Sequence, residues 1–206
     1  MIKAIDLLEM SPVIAAIKDD AGLKRCLDTE CQVVFILYGN ICNIKDIVAA
    51  LKAHGKCAMA HADLVQGLGS KEVAIDFIKE QTGADGIIST KPMLVRRAQE
   101  LKMFGILRAF IIDSMAVANT QKMLDTFRPD MIEIMPGVIP KIIKNLRGIT
   151  DIPLIAGGLI SEKKEVLELF AAGADAISTT RQELWYIFHE TAYNNKTDSS
   201  FVPSCL

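Results

Sequence analysis

The chain is poor in the marks of several common protein classes. Its five cysteines, Cys26, Cys31, Cys42, Cys57 and Cys205, form no Cys-x-x-Cys pair and are odd in number. That pattern suits reduced thiols in a cytoplasm, most of them acting as small core hydrophobes. There is no His-Glu-x-x-His, no Cys/His metal spacing and no Walker loop, so no metal or nucleoside-triphosphate site is legible. Charge or glycine breaks every apolar run well before the length a membrane helix requires. No basic segment followed by an apolar stretch opens the chain, which argues against secretion and for the cytoplasm. The net charge of -2 excludes a broad cationic surface, so any nucleic-acid contact must use a local patch. With one Trp, three Tyr and eight Phe, platforms for stacking bases are scarce. No low-complexity linker divides the sequence.

What is present is apolar. Half of the 206 residues are hydrophobic, and the mean hydropathy is +0.28, as expected of strands buried on both faces. Eight short apolar runs recur along the chain: Val13–Ile17, Val33–Gly39, Cys57–Ala62, Gly86–Ser89, Gly105–Ile112, Met131–Met135, Pro153–Ala156 and Ala174–Ser178. Amphipathic stretches lie between them, among them Lys45–Ala53, Lys71–Thr82, Met93–Lys102, Thr120–Phe127 and Glu162–Ala172. Strand-helix alternation predicts a parallel sheet, and eight units predict a compact single-domain (β/α)8 TIM barrel. An open doubly wound sheet would want a glycine-rich turn after the first strand, and none follows Ile17. The barrel is placed at residues 1–185, with 186–206 as the end of a last helix and a tail. Gly-Ala-Asp occurs at 83–85 and again at 173–175, each time between a helical stretch and a strand, where glycine suits a helix end.

The seventh run ends in Ile155-Ala156-Gly157-Gly158-Leu159 and the eighth in Ser178-Thr179-Thr180. Paired endings of this kind form the phosphate grip of many such barrels. Glycine lets backbone N–H groups approach an anion, and a following helix N-terminus adds positive potential. The residues therefore predict a bound phosphorylated small molecule, against the simpler reading of Gly157-Gly158 as a tight turn. The other strand ends supply Lys18, Asp19, Asn40, His61, Asp63, Ser89, Thr90, Lys91, Asp113 and Glu133. Period-two parity puts His61 and Asp63 on one face, where Asp63 would orient the imidazole; the alternative is a satisfied core histidine. Glu133 and Arg108 read equally as ligand contacts or as a buried ion pair. Asp113 before Ser114 reads as an N-cap.

Several stretches in order carry a family resemblance. They are Pro12-Val-Ile-Ala-Ala-Ile-Lys-Asp19, Val34-Phe-Ile-Leu-Tyr-Gly-Asn-Ile-Cys-Asn-Ile44, His61-Ala-Asp-Leu-Val-Gln-Gly67, Gly86-Ile-Ile-Ser-Thr-Lys91, Ile112-Asp-Ser114, Pro136-Gly-Val-Ile-Pro-Lys141 and Ile155-Ala-Gly-Gly-Leu-Ile160. From about Ser11 to Trp185 the chain resembles the glycerol-uptake operon antiterminator regulatory proteins. The resemblance implies a cytoplasmic regulator and not an enzyme. It would bind glycerol 3-phosphate as effector, need no cofactor, and act on the leader mRNA of glycerol-utilisation operons. Carried onto this chain, Gly157, Gly158, Thr179 and Thr180 would hold the phosphate. Lys18, His61, Asp63 and Glu133 are candidates for the glycerol hydroxyls by their strand-end positions. Two basic clusters are candidates for RNA: Lys91, Arg96, Arg97 and Lys102, and Lys141, Lys144 and Arg147, whose three-residue spacing keeps them near one helix face. Solvated helix faces are the plainer reading of both. A weak RNA surface would suit a homodimer, which doubles the contacts. The alternative function is a TIM-barrel isomerase, aldolase or synthase of a small phosphorylated metabolite, with His61, Asp63 or Glu133 as acid and base.

Overall fold

The computed structural model describes residues 3–188. Eight parallel strands close into a barrel in sequence order. They are β1 Val13–Ile17, β2 Val33–Ile36, β3 Cys57–His61, β4 Gly86–Ser89, β5 Phe104–Phe110, β6 Met131–Met135, β7 Leu154–Gly157 and β8 Ala176–Thr179. The helices are α1 Ala4–Met10, α2 Asp20–Leu27, α3 Ile44–Ala53, α4 Val73–Thr82, α5 Pro92–Glu100, α6 Ser114–Leu124, α7 Pro140–Arg147 and α8 Lys163–Ala171. A 3-10 turn at Gln182–Tyr186 follows β8 where the other units carry an α-helix. Of the C-terminal segment expected as a helix end and tail, residues 189–206 lie outside the described residues.

Strand parity sorts the core into two layers. Ile14, Ala16, Val33, Phe35, Met59, Ile88, Ile106, Met131, Ile155 and Ala176 fill the barrel interior. Leu7 and Leu8 of α1 pack against this set and plug the end where the strands begin. The alternate positions, such as Val34, Ile87, Leu107, Ile132 and Ile177, face the helices and meet Val48, Ile78, Leu94, Leu146 and Leu169. Both faces of every strand are covered, which explains the continuous apolar runs. Cys26 and Cys31 are buried, Cys57 is half-buried and Cys42 is exposed; all four are free thiols.

Aspartates just ahead of three strands pin the register. Asp85 accepts a hydrogen bond from Ala58 N at 2.8 Å, Asp130 from Gly105 N at 2.8 Å, and Asp175 from Leu154 N at 2.7 Å. Each aspartate sits one residue before its own strand and holds the start of the preceding one. The Gly-Ala-Asp repeat is therefore a structural device: Gly83 and Gly173 take positive φ at the helix ends, and the aspartate then ties two strands.

Candidate functional site

The interior positions turn polar at the C-terminal ends of the strands. Arg108 of β5 and Glu133 of β6 are register partners, 8 % and 1 % exposed. Arg108 Nε donates to Glu133 Oε2 at 2.6 Å, and Ser178 Oγ donates to Glu133 Oε1 at 2.5 Å. Glu133 and Arg108 thus form a buried pair, and both also line a cavity of about 530 Å³ at this end of the barrel. Lys18, Met135, Gly158, Ser161, Thr180, Arg181 and Glu183 are among its other lining residues. Lys18 and Arg181 are exposed and have no ion-pair partner among the described residues, so against the one exposed lining carboxylate, Glu183, they leave the mouth with an excess of positive charge.

The two halves of the expected phosphate grip lie side by side, with Gly157 in register with Ser178. They differ in function from residue to residue. A Cβ on Gly157 would come within 2.5 Å of Ser178 Oγ and 2.6 Å of Glu133 Oε1, so this glycine makes room for the buried pair. Gly158 lines the cavity at φ +76, a conformation glycine adopts without strain. Thr179 Oγ1 donates to Ile160 O at 3.1 Å and accepts from Arg181 N at 3.0 Å. That hydroxyl fastens the β7–α8 loop to the end of β8. Thr180 is exposed beside the cavity. The potential expected from the helix after Gly157-Gly158 is answered from within: Glu165 accepts from Ser161 N at 2.8 Å and Glu162 N at 2.9 Å. This carboxylate caps the α8 N-terminus.

His61 and Asp63 lie outside the cavity walls, and the orienting pair between them is not made. The strand ends at His61, so parity no longer governs Asp63, and His61 Nδ1 stands 3.9 Å from Asp63 Oδ2. Asp63 instead accepts from Thr90 N at 2.8 Å, Ser89 Oγ at 3.0 Å and Lys91 Nζ at 3.0 Å. Burial works against its charge, but these donors together hold its carboxyl below the usual range. Burial, reinforced by the positive charge of Arg108, lowers the His61 pKa to about 4, so the ring is neutral at pH 7. Its Nδ1 is buried without a hydrogen-bond partner among the described residues. Asp113 is an N-cap, accepting from Ala116 N at 2.7 Å.

Most charges of the basic clusters are already engaged. Arg97 donates to Asp76 and Glu100, Arg96 lies over the Phe127 ring, and Lys91 holds Asp63 and Ser70. Arg147 pairs with Asp175. Lys141 and Lys144 are exposed, without an ion-pair partner among the described residues. Sequence reasoning had Ser178 only as part of the Ser-Thr-Thr ending and gave Arg181 no site role, although Ser178 shares the inward parity of Glu133 and Arg181 follows that ending.

Residues 13–185 match the family model for the glycerol-3-phosphate responsive antiterminator. The chain belongs to the glycerol-3-phosphate responsive antiterminator family. Among solved structures, this family member is similar to the glycerol uptake operon antiterminator regulatory protein of Listeria monocytogenes str. 4b F2365. The two are 35 % identical, with a TM-score of 0.81 over 84 % of this chain and 94 % of that one. A glycerol uptake operon antiterminator-related protein of Thermotoga maritima MSB8 is also 35 % identical, with a TM-score of 0.77 over 85 % and 98 %. The uncharacterized protein YgcP of Escherichia coli (strain K12) is 44 % identical, covering 88 % of this chain and 95 % of its own. The family match spans all eight strands of the barrel.

Proposed function

We propose that the protein senses glycerol 3-phosphate and, when liganded, binds the leader mRNA of a glycerol-utilisation operon so that transcription passes a terminator. The observation that carries this reading is the cavity itself. Two cations without an ion-pair partner among the described residues, Lys18 and Arg181, stand at a mouth built from the Gly158 loop and the Thr179-Thr180 strand end. A phosphate dianion is the chemistry that such a mouth complements. Gly158 and Thr180 hold the phosphate in this account, and Lys18 and Arg181 balance its charge.

Ligand can favour RNA binding only if it binds the RNA-competent conformation more tightly. The β6–α7 loop is a suitable carrier. Met135, the last residue of β6 just ahead of it, lines the cavity, Gly137 N in the loop donates to Gly157 O at 2.5 Å, and the loop leads into α7 with Lys141 and Lys144. A phosphate that orders the Gly158 loop would bias α7 through these contacts. Acting from a homodimer would double the phosphate contacts that two lysines offer.

The test is fluorescence anisotropy of a leader transcript with and without glycerol 3-phosphate. Binding that requires the ligand supports the proposal; binding indifferent to it contradicts the sensor. Turnover of glycerol 3-phosphate or a triose phosphate would transfer the site to an enzyme of phosphorylated metabolites.

A further inference from the structure

We infer that Arg108, Glu133 and Ser178 form a diol-reading end of the cavity, which accepts a neutral polyol phosphate and rejects the corresponding phosphorylated acid. This inference rests on the phosphate-ester reading above and adds which end-group chemistry the site selects.

Burying an ion pair costs desolvation, and a well-packed apolar pair in its place would commonly be no less stable. The barrel fills the layer below with apolar side chains alone, such as Ile106, Met131 and Ile155. Arg108 and Glu133 break that pattern at the level where the cavity begins. Within the pair, only Nε of the guanidinium has a partner among the described residues. The side chain is 8 % exposed, yet its terminal nitrogens, with further N–H donors, are left for whatever occupies the cavity. These nitrogens are not sealed in the protein, since among the described residues His61 Nδ1 is the fully buried side-chain atom that lacks a partner, so a ligand in the cavity can reach them.

Glu133 supplies the complementary half. Ser178 donates to one of its oxygens and Arg108 to the other, and a carboxylate oxygen has a lone pair to spare after one bond. Gly157 completes the arrangement, since any Cβ there would displace both Ser178 Oγ and Glu133 Oε1. A donor and an acceptor thus stand together in a low-dielectric recess. A hydroxyl group satisfies both, accepting from Arg108 while donating to Glu133. A ligand carboxylate only accepts; it could meet Arg108 but would face the Glu133 carboxylate across a poorly screened gap.

Calorimetric titration of the full chain with glycerol 3-phosphate, 3-phosphoglycerate and inorganic phosphate tests this. Wild type is expected to bind glycerol 3-phosphate at least about tenfold more tightly than 3-phosphoglycerate. Glu133→Gln removes the opposing charge and should close or reverse that gap. Ser178→Ala, a milder change that removes the hydrogen bond holding the Glu133 carboxylate in position, should weaken glycerol 3-phosphate severalfold and leave inorganic phosphate unchanged. If glycerol 3-phosphate binds but wild type takes the acid equally well, the selectivity is overturned whether or not Glu133→Gln folds. The same holds if both variants keep the wild-type ratio. If no phosphate compound binds wild type, the parent reading fails and this inference with it.

Discussion

His61 and Gly157 show how single residues answer to their surroundings in this barrel. The imidazole of His61 is 3 % exposed and neutral because burial lowers its pKa from 6.5 to about 4. The folded value lies below the unfolded one, so between these pH values the unfolded chain carries the extra proton. Stability present above about pH 6.5 is therefore lost as pH falls through this window, by about 3 kcal/mol in all. Urea unfolding at about pH 7 and about pH 4.5 should show this loss in wild type and a flatter profile in His61→Asn. An identical pH slope in the two proteins would contradict it. At Gly157, alanine should cost about 2 kcal/mol through overpacking against Ser178 and Glu133. The same change at Gly158 meets only the mobile Met135 Cε at 2.6 Å and should cost about 1 kcal/mol, from the positive φ. Denaturation midpoints of the two variants in the reverse order would refute this division of labour. The sequence made Gly157-Gly158 visible as a pair, but which glycine lines the cavity and which makes room for the buried pair depends on cross-barrel contacts.

At the scale of elements, the strands were legible because burial on both faces leaves unmistakable apolar runs. Three of the eight, β1, β4 and β6, have the boundaries read from sequence. The helices were less so. The pattern placed one at Thr120–Phe127, whereas α6 starts at Ser114 behind the Asp113 cap and buries Thr120 alone. A helix with so narrow a buried stripe gives periodicity little to report. The seven-residue α1 carries only Leu7 and Leu8 as buried anchors, too little for an amphipathic signature. The Gly-Ala-Asp repeat was visible without its purpose, since its partners lie one strand back. Asp175→Ala removes the acceptor for Leu154 N and the partner of Arg147. A loss of about 2 kcal/mol is expected in chemical denaturation, with the fold retained; an unchanged midpoint would show the tie to be dispensable.

For the molecule as a whole, the sequence carried the barrel and the family. It left open which basic groups are free, because partners such as Asp76 for Arg97 and Asp175 for Arg147 come together only in the folded chain. With those charges engaged, Lys141 and Lys144 of α7 are the pair to which the proposed RNA contact is assigned. Reversing both to glutamate should weaken leader-RNA binding and flatten its dependence on salt, by a slope change of about 1.5 for two phosphate contacts to single strands. Ligand binding should be untouched, and unaltered RNA binding would exclude α7. The central claim, that the mouth holds the phosphate of glycerol 3-phosphate, is tested most directly by calorimetric titration of wild type and Gly158→Asp with that ligand, glycerol and inorganic phosphate as controls. Aspartate tolerates positive φ better than most residues, so the variant should keep its fold while setting a carboxylate against the phosphate. The account predicts a saturable wild-type signal for glycerol 3-phosphate, none for glycerol, and loss of the signal in the variant. Absence of binding in wild type, or undiminished binding in the folded variant, would contradict it.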